Sequence, residues 1–490
     1  MHAAVASGIR IADLPGPRQL PLLGNAHQIR LSEFHSRLEA WSREHGDIYR
    51  MRVWRREFVV MADPHLAAEA LRDRPGNFGR TDRVVATATE MHFGGLFASN
   101  GEKWRRQRPM VMAAFDPGHI KRYFPALVHV GQRLAGRWSR AAATGATIPL
   151  QQDLMRYTVD VIAGLAFGAD INTLEGDGDV IQQHMDQILP SLFRRTLAPF
   201  PYWHHFRLPA DRRLDEHLQA FRSAVEGFIR NARERIAREP SLREAPSNLI
   251  EAMIAARDRP GNQLDDDDVA ANVATMLLAG EDTTANTLAW MLWLLSRHPQ
   301  ALERATAEVR EALGDDTTPT RLEQLEALSF VDACAHETMR LKPVAPIMPQ
   351  QAAKDTMLGG VYIPAGTICI FLMRAGPTDA RHFANPEAFD PDRWLGNTAG
   401  AGKRISMPFG AGPRICPGRY LALMEIKMAM ATLLGSFDVV SVTPATGTDV
   451  SERLAFTMTP SPLTMRLAPR RPLRCTMSAG TAVQQSARNR

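Results

Sequence analysis

Apolar residues recur at helical spacing along most of the chain, and only a few short stretches alternate in the way half-buried strands do. The clearest helix is expected from about Leu264 to His298: Pro260-Gly261 precedes it, Asp265 to Asp268 suit its positive N-terminal end, and Pro299 closes it. At about 1.5 Å per residue such a helix is roughly 50 Å long, enough to cross a whole large domain. One big, mainly helical unit is therefore favoured over several small ones. Further helices are expected between Leu322 and Leu341 and from Arg419 to Leu434, the second apolar almost all round and so buried. A hairpin is expected from Ile48 to Val53 and Phe58 to Met61 around Trp54 to Glu57. Strands are also expected at Thr367 to Met373 and in a proline-interrupted hairpin from Ala455 to Leu467. Leu14 to Pro21 reads as a stiff proline-rich lead-in, and Ala375 to Trp394 as an ordered meandering loop.

Composition narrows this picture. The 490 residues are 45% hydrophobic and 23% charged, an ordinary balance that argues against disorder, collagen-like repeats and a multi-span membrane protein. The formal charge is 58 − 53 = +5, but five arginines (470, 471, 474, 488 and 490) and no acid lie between Ala468 and Arg490. The excess thus sits in a polar tail, and no nucleic-acid partner is expected. The organisation expected is a flexible start (1–13), a single domain (14–467) and a basic, disordered tail (468–490). Cysteines 334, 369, 416 and 475 show no paired CxxC spacing, which speaks against a zinc ribbon or a secreted disulfide scaffold and for a reducing compartment. No signal peptide or transmembrane anchor is visible, so a soluble, cytoplasmic protein is expected.

The richest segment chemically is Phe409-Gly410-Ala411-Gly412-Pro413-Arg414-Ile415-Cys416-Pro417-Gly418. Its glycines let the backbone approach a bulky group, and the helix beginning near Arg419 turns its N-terminal dipole towards the sulfur, which favours thiolate over thiol. A soft anionic ligand at the mouth of such a loop, shielded by Phe409, is what an axial cysteine on heme iron requires. A lone free cysteine is more often a small buried hydrophobe, but chance occurrence of this pattern is about one in 10⁵ or rarer.

Here the chain resembles the cytochrome P450 family, the heme-thiolate monooxygenases, in its soluble bacterial form, from Leu14 to Leu467. The resemblance implies a mainly α fold with small β-sheets, with heme b between the long helix and the cysteine loop. It implies that Cys416 ligates the iron, with Phe409, Gly410 and Gly418 forming its loop. Glu337-Thr338-Met339-Arg340 places a carboxylate and a guanidinium on one helical face, and by resemblance Arg393, from Phe389-Asp390-Pro391-Asp392-Arg393-Trp394, completes a buried network with them. The alternative is an exposed intrahelical ion pair. Trp104 and Arg108, four apart, match the family's Trp-x-x-x-Arg and are expected at the heme propionates, with Arg414 as a second candidate. Ala279-Gly280-Glu281-Asp282-Thr283-Thr284 interrupts the apolar centre of the long helix, and the family assigns the Asp282 and Thr283 positions to proton delivery on the oxygen side. Alternatively, Thr283 bonds back to the carbonyl of Ala279.

Two departures matter: Pro377-Thr378-Asp379 stands where many relatives carry His-Arg-Asp, and Gln350-Gln351 where a basic residue is frequent, so the cations for the propionates are not all identified. With no glycine-rich dinucleotide fingerprint following a strand, electrons are expected from a separate ferredoxin or flavodoxin with its reductase. Lys103, Arg105, Arg106, Arg419 and Lys427 are docking candidates for it. By resemblance, the substrate pocket draws on Val84 to Phe97, Ile188 to Phe206, the helix around Ala279, Val344 to Met348 and Met458 to Leu463. These mostly apolar stretches suggest a lipid, terpenoid or polyketide-like substrate oxidised with O2. A heme-thiolate isomerase, dehydratase or peroxygenase, or a non-catalytic heme sensor or carrier, are the alternative readings. The aromatic run around Trp203 reads either as a packed loop or as a membrane contact.

Overall fold

The long helix runs from Asp266 to Arg297 in a computed structural model that describes residues 8–176, 180–198, 200–261, 264–396 and 399–470. Its start is a capping box: Asp265 accepts from the backbone of Asp268, whose carboxylate accepts in return from the Asp265 N–H. Val269, Val273, Leu277, Leu288, Leu292 and Leu295 bury one face in the largest core cluster, against Leu154, Tyr157, Val161 and Leu165 of the helix Leu150–Phe167. Each such side chain contributes about 2 kcal/mol of apolar burial, so this contact is the frame of the fold.

The helix expected between Leu322 and Leu341 is two pieces, Leu322–Glu326 and Ser329–Leu341. The break has a physical cause outside its own sequence. Glu308, on the neighbouring helix Pro299–Leu313, accepts from the backbone N–H groups of Phe330 (2.7 Å) and Val331 (2.9 Å), capping a new helix start. The helix after the cysteine loop spans Arg419–Ser436 and is buried along most of its length, as expected.

Small sheets flank this helical body. One has five strands in the order Ile48–Val53, Arg56–Met61, Ile368–Leu372, Ile347–Ala352 and Phe78–Gly79. The first hairpin turns tighter than expected, Val53 pairing with Arg56, because Trp54 adopts φ 56°. The expected hairpin from Ala455 to Leu467 is not one. Met458–Pro460 pairs back with Glu452–Leu454, while Leu463–Pro469 pairs with Phe437–Pro444 and Ile148–Pro149. Pro460 and Pro462 have no N–H to donate across a shared ladder, so the two strands part into different sheets.

The expected boundaries shift at both ends. In place of a flexible start up to residue 13, Ile9–Arg10 pairs in parallel with Val361–Tyr362, and Ile11–Asp13 forms a 3-10 turn. The last strand continues through Pro469, and Arg470 bonds to the carbonyls of Ser436 and Gly435. The remainder of the expected basic tail, from residue 471, lies outside the described residues, with Cys475. Among the described residues no helix is long and apolar enough to cross a membrane.

Candidate functional site

Three of the four cysteines are described, and their settings differ. Cys334 and Cys369 are fully buried and their thiols pushed well up by desolvation, so both are inert packing groups. Cys416 is half-buried at the end of its loop. Its N–H donates to the carbonyl of Phe409 (3.0 Å), which closes the loop, and the Arg419 guanidinium donates to its carbonyl (3.3 Å). Gly410 and Gly412 hold φ of 74° and 71°. At Gly412 a Cβ would fall 2.5 Å from the Leu71 carbonyl oxygen and the Arg72 Cα, so only glycine passes there. Gly418 adopts an ordinary φ of −81° and has only a ring edge of Phe115 at 3.5 Å, so neither backbone angle nor crowding demands glycine.

The expected preference for thiolate needs correcting. Burial pushes the Cys416 thiol up, and the Gly418 N–H with the charges of Arg108 and Arg419 pulls only partly the other way. The protein alone does not make the anion; a bound metal cation would supply the missing charge.

Around the loop stand four arginines. Arg108 donates to the Ile415 carbonyl (2.8 Å), Arg74 to that of Ala411 (2.9 Å), Arg80 to that of Phe97 (3.0 Å), and Arg414 to Asn100 Oδ1 (3.1 Å), Leu96 O (3.2 Å) and Ser99 O. Trp104 is buried beneath Arg414, whose guanidinium lies 5.1 Å from its ring centroid. Among the described residues none of the four has a carboxylate partner. Burial, joined for Arg414 and Arg74 by repulsion from the other arginines of the cluster, holds Arg414 down to about 8 and Arg74 to about 9; burial alone holds Arg80 to about 10, and burial holds Arg108 below its ordinary value, with Arg419 pushing it down and Cys416 pulling it up. Such a cation cluster is costly unless anions join it. One soft sulfur donor, backbone opened by glycine and four cations lacking anions together fit an iron porphyrin carrying two carboxylates.

Behind the cysteine side, Glu337 and Arg340 are both fully buried and joined by two 2.7 Å bonds. Arg340 also donates to the carbonyls of Pro377, Pro386 and Ala388, which pins the meandering loop. Glu337 accepts further from Trp394 Nε1 (2.8 Å), the Asp390 N–H (2.9 Å) and Arg393 Nε (3.4 Å). The three residues expected to form a network are thus brought together, and an exposed pair is excluded.

Ala279 is exposed although Met276 to Leu278 and Glu281 are buried. Thr283 donates to the Ala279 carbonyl (2.7 Å), as the alternative reading had it. Asp282 and Thr283, both expected to serve proton delivery, take different hydrogen-bond partners rather than each other. Asp282 accepts from Asn286 Nδ2 (2.7 Å) and from Thr457 of the Glu452–Pro460 hairpin. Burial pushes its carboxyl up, and those two bonds pull it down. The next residue, Thr284, bonds the buried carboxyl of Glu425, which burial pushes up to about 8 and so keeps protonated at neutral pH.

The family model for Cytochrome P450 matches residues 14–467. The chain belongs to the cytochrome P450 family. Two bacterial P450 relatives are similar over nearly their full lengths. One is the cyclooctat-9-en-7-ol 5-monooxygenase of Streptomyces melanosporofaciens, 30% identical over 93% of this chain and 95% of its own. The other is the pentalenene oxygenase of Streptomyces avermitilis, 29% identical over 93% and 97%. The crystal structure of the cytochrome P450DA heme domain superposes with a TM-score of 0.81 at 25% identity, covering 94% of this chain and 98% of that one. The chain is therefore an oxidoreductase of a heme-using monooxygenase family with the P450 fold.

Arg74 and Arg80 are the candidate site residues that sequence reasoning missed. They stand on a segment with no motif, and only their arrival beside Arg414 marks them. Gln350, at the frequently basic position, is buried with its Oε1 unpartnered, while Gln351 bonds Asp82 instead. Of the five docking cations, Lys103, Arg105 and Arg106 are exposed. Lys427 is half-buried near Asp332 (3.5 Å), and Arg419 is tied to the cysteine loop. Trp203 is buried and donates to Glu90 (2.9 Å), so this aromatic is a packed loop residue.

Proposed function

We propose that this P450 hydroxylates an apolar, terpenoid-like molecule, using heme b and electrons from a separate ferredoxin or flavodoxin system. The supporting observation is the pairing of one half-buried cysteine with four arginines that lack anions. Cys416 would hold the iron, and Arg74, Arg80, Arg108 and Arg414 would hold the propionates, with Trp104 packed beneath. When bound, the heme supplies oxygen activation: one atom of O2 enters the substrate and the other leaves as water, with two electrons and two protons consumed.

The remaining work falls to the chain. Glu337, Arg340 and Arg393 pin the meander to the helix Ser329–Leu341 and so hold the protein core there in one arrangement. Asp282 and Thr283 hold the protons for the oxygen side, Thr283 on a hydroxyl that donates to the carbonyl of Ala279 and Asp282 on a carboxyl that desolvation pushes up. Phe97 and Phe456, half-exposed with ring centroids 5.8 Å apart, give the substrate side an apolar wall. The relatives named for cyclooctat-9-en-7-ol and pentalenene support a cyclic terpenoid. The exposed Lys103, Arg105 and Arg106 supply a basic face for an acidic electron donor.

The test is optical titration of the ferric protein with cyclic terpenes, fatty acids, steroids and macrolides, followed by turnover with a ferredoxin and its reductase. A saturable shift to high spin with terpenes, and a product heavier by one oxygen, is expected. Shifts confined to another class would overturn the substrate assignment. Full turnover with peroxide and none with reductant would overturn the electron route.

A further inference from the structure

The acid of the long helix does not face the alcohol beside it in sequence. One carboxylate oxygen of Asp282 takes the Asn286 amide, which is itself anchored to the Asp282 carbonyl at 2.8 Å; the other takes the hydroxyl of Thr457, 175 residues away. Thr457 is buried, and its position is not free to drift. The Met458 N–H donates to the Val344 carbonyl (2.8 Å), and Trp290 of the long helix donates to the Met458 carbonyl (3.3 Å). Phe456, immediately before Thr457, is the ring that meets Phe97 on the substrate side. The hairpin therefore joins a substrate-side aromatic to the half-buried acid through consecutive residues.

We propose that Thr457 is a positioning residue of the P450 reaction: its hydroxyl holds the Asp282 carboxylate turned towards the hairpin and away from Thr283, so the hairpin sets when the acid delivers its proton. This rests on reading Asp282 as the proton-delivering acid. Its ionisation is set by burial, Thr457 and Asn286, and among the described residues no charged neighbour contributes. A hydrogen bond to the charged form favours it, so losing the hydroxyl must move the carboxyl further up.

The experiment compares Thr457→Val, which keeps the shape, with Thr457→Ser, which keeps the hydroxyl, in the heme-loaded protein. The carboxyl stretching band assigned to Asp282 by its disappearance in Asp282→Asn is followed by infrared difference spectroscopy against pH. Thr457→Val should raise the midpoint by one pH unit or more, a tenfold change in the equilibrium, and shift the pH profile of product per reductant the same way. Thr457→Ser should match the parent. An unmoved midpoint in Thr457→Val, or a serine variant behaving like the valine one, would overturn the role of Thr457. An unchanged product yield in Asp282→Asn would overturn the reading of the acid, and the positioning role with it.

Discussion

The two sides of the proposed heme site are built on different physical terms. On the cysteine side, the fully buried Arg340 spends every donor it has on the fully buried Glu337 and three loop carbonyls. Breaking such a buried pair leaves a charge with no water to meet it, so this side has essentially one arrangement. On the oxygen side, Asp282 is held by a single amide and a single hydroxyl, each a neutral donor, and Thr283 is bonded only to its own helix. Such contacts exchange at small cost. Rigidity is concentrated where a ligand must be held, and freedom where protons and substrate must pass.

The contrast can be broken first at Glu337. Glu337→Ala should cost about 3–5 kcal/mol, seen as a collapsed melting temperature and loss of the thiolate-type band of the reduced carbon monoxide complex. Survival of both would show that the cysteine side is not locked. Next comes Arg414→Met, which removes one anion partner and should speed heme loss to apomyoglobin about tenfold, with the fold retained.

Glu425 sharpens the comparison through pH. Its folded pKa is raised from the ordinary carboxyl value to about 8, so the folded state keeps a proton that the unfolded chain gives up. Stability should therefore fall as pH rises between about 5 and 8, by up to roughly 1 kcal/mol per unit. Glu425→Gln should flatten that slope in denaturant titrations; a slope equal to the parent's would mean that Glu425 is already ionised. Smallest in stability is Asp282→Asn, which should change unfolding by less than about 1 kcal/mol while product per reductant drops severalfold.

What could be read from the chain follows the same division. The cysteine loop, Glu337 with Arg340, and the Arg393 segment are short patterns whose spacing carries their chemistry, and the structure joins Glu337 to both Arg340 and Arg393. Arg74 and Arg80 belong to no pattern; they become part of the site through tertiary approach to Arg414. The Thr457 contact spans 175 residues and could not be inferred from either segment alone. The split of the helix at Ala327-Leu328 was hidden because Glu308 imposes it from another helix. The parting of the last strands was within reach, since two prolines two residues apart forbid a shared ladder.

Glu308 has a consequence for how the molecule breathes. The amides of Phe330 and Val331 are protected by a carboxylate on a different helix, so their hydrogen exchange cannot follow local fraying of Ser329–Leu341. They become exchangeable only when Pro299–Leu313 moves off. The first turn of the helix that carries Glu337 should thus report the undocking of a neighbour, and those two amides are natural sentinels for partial opening around Glu337.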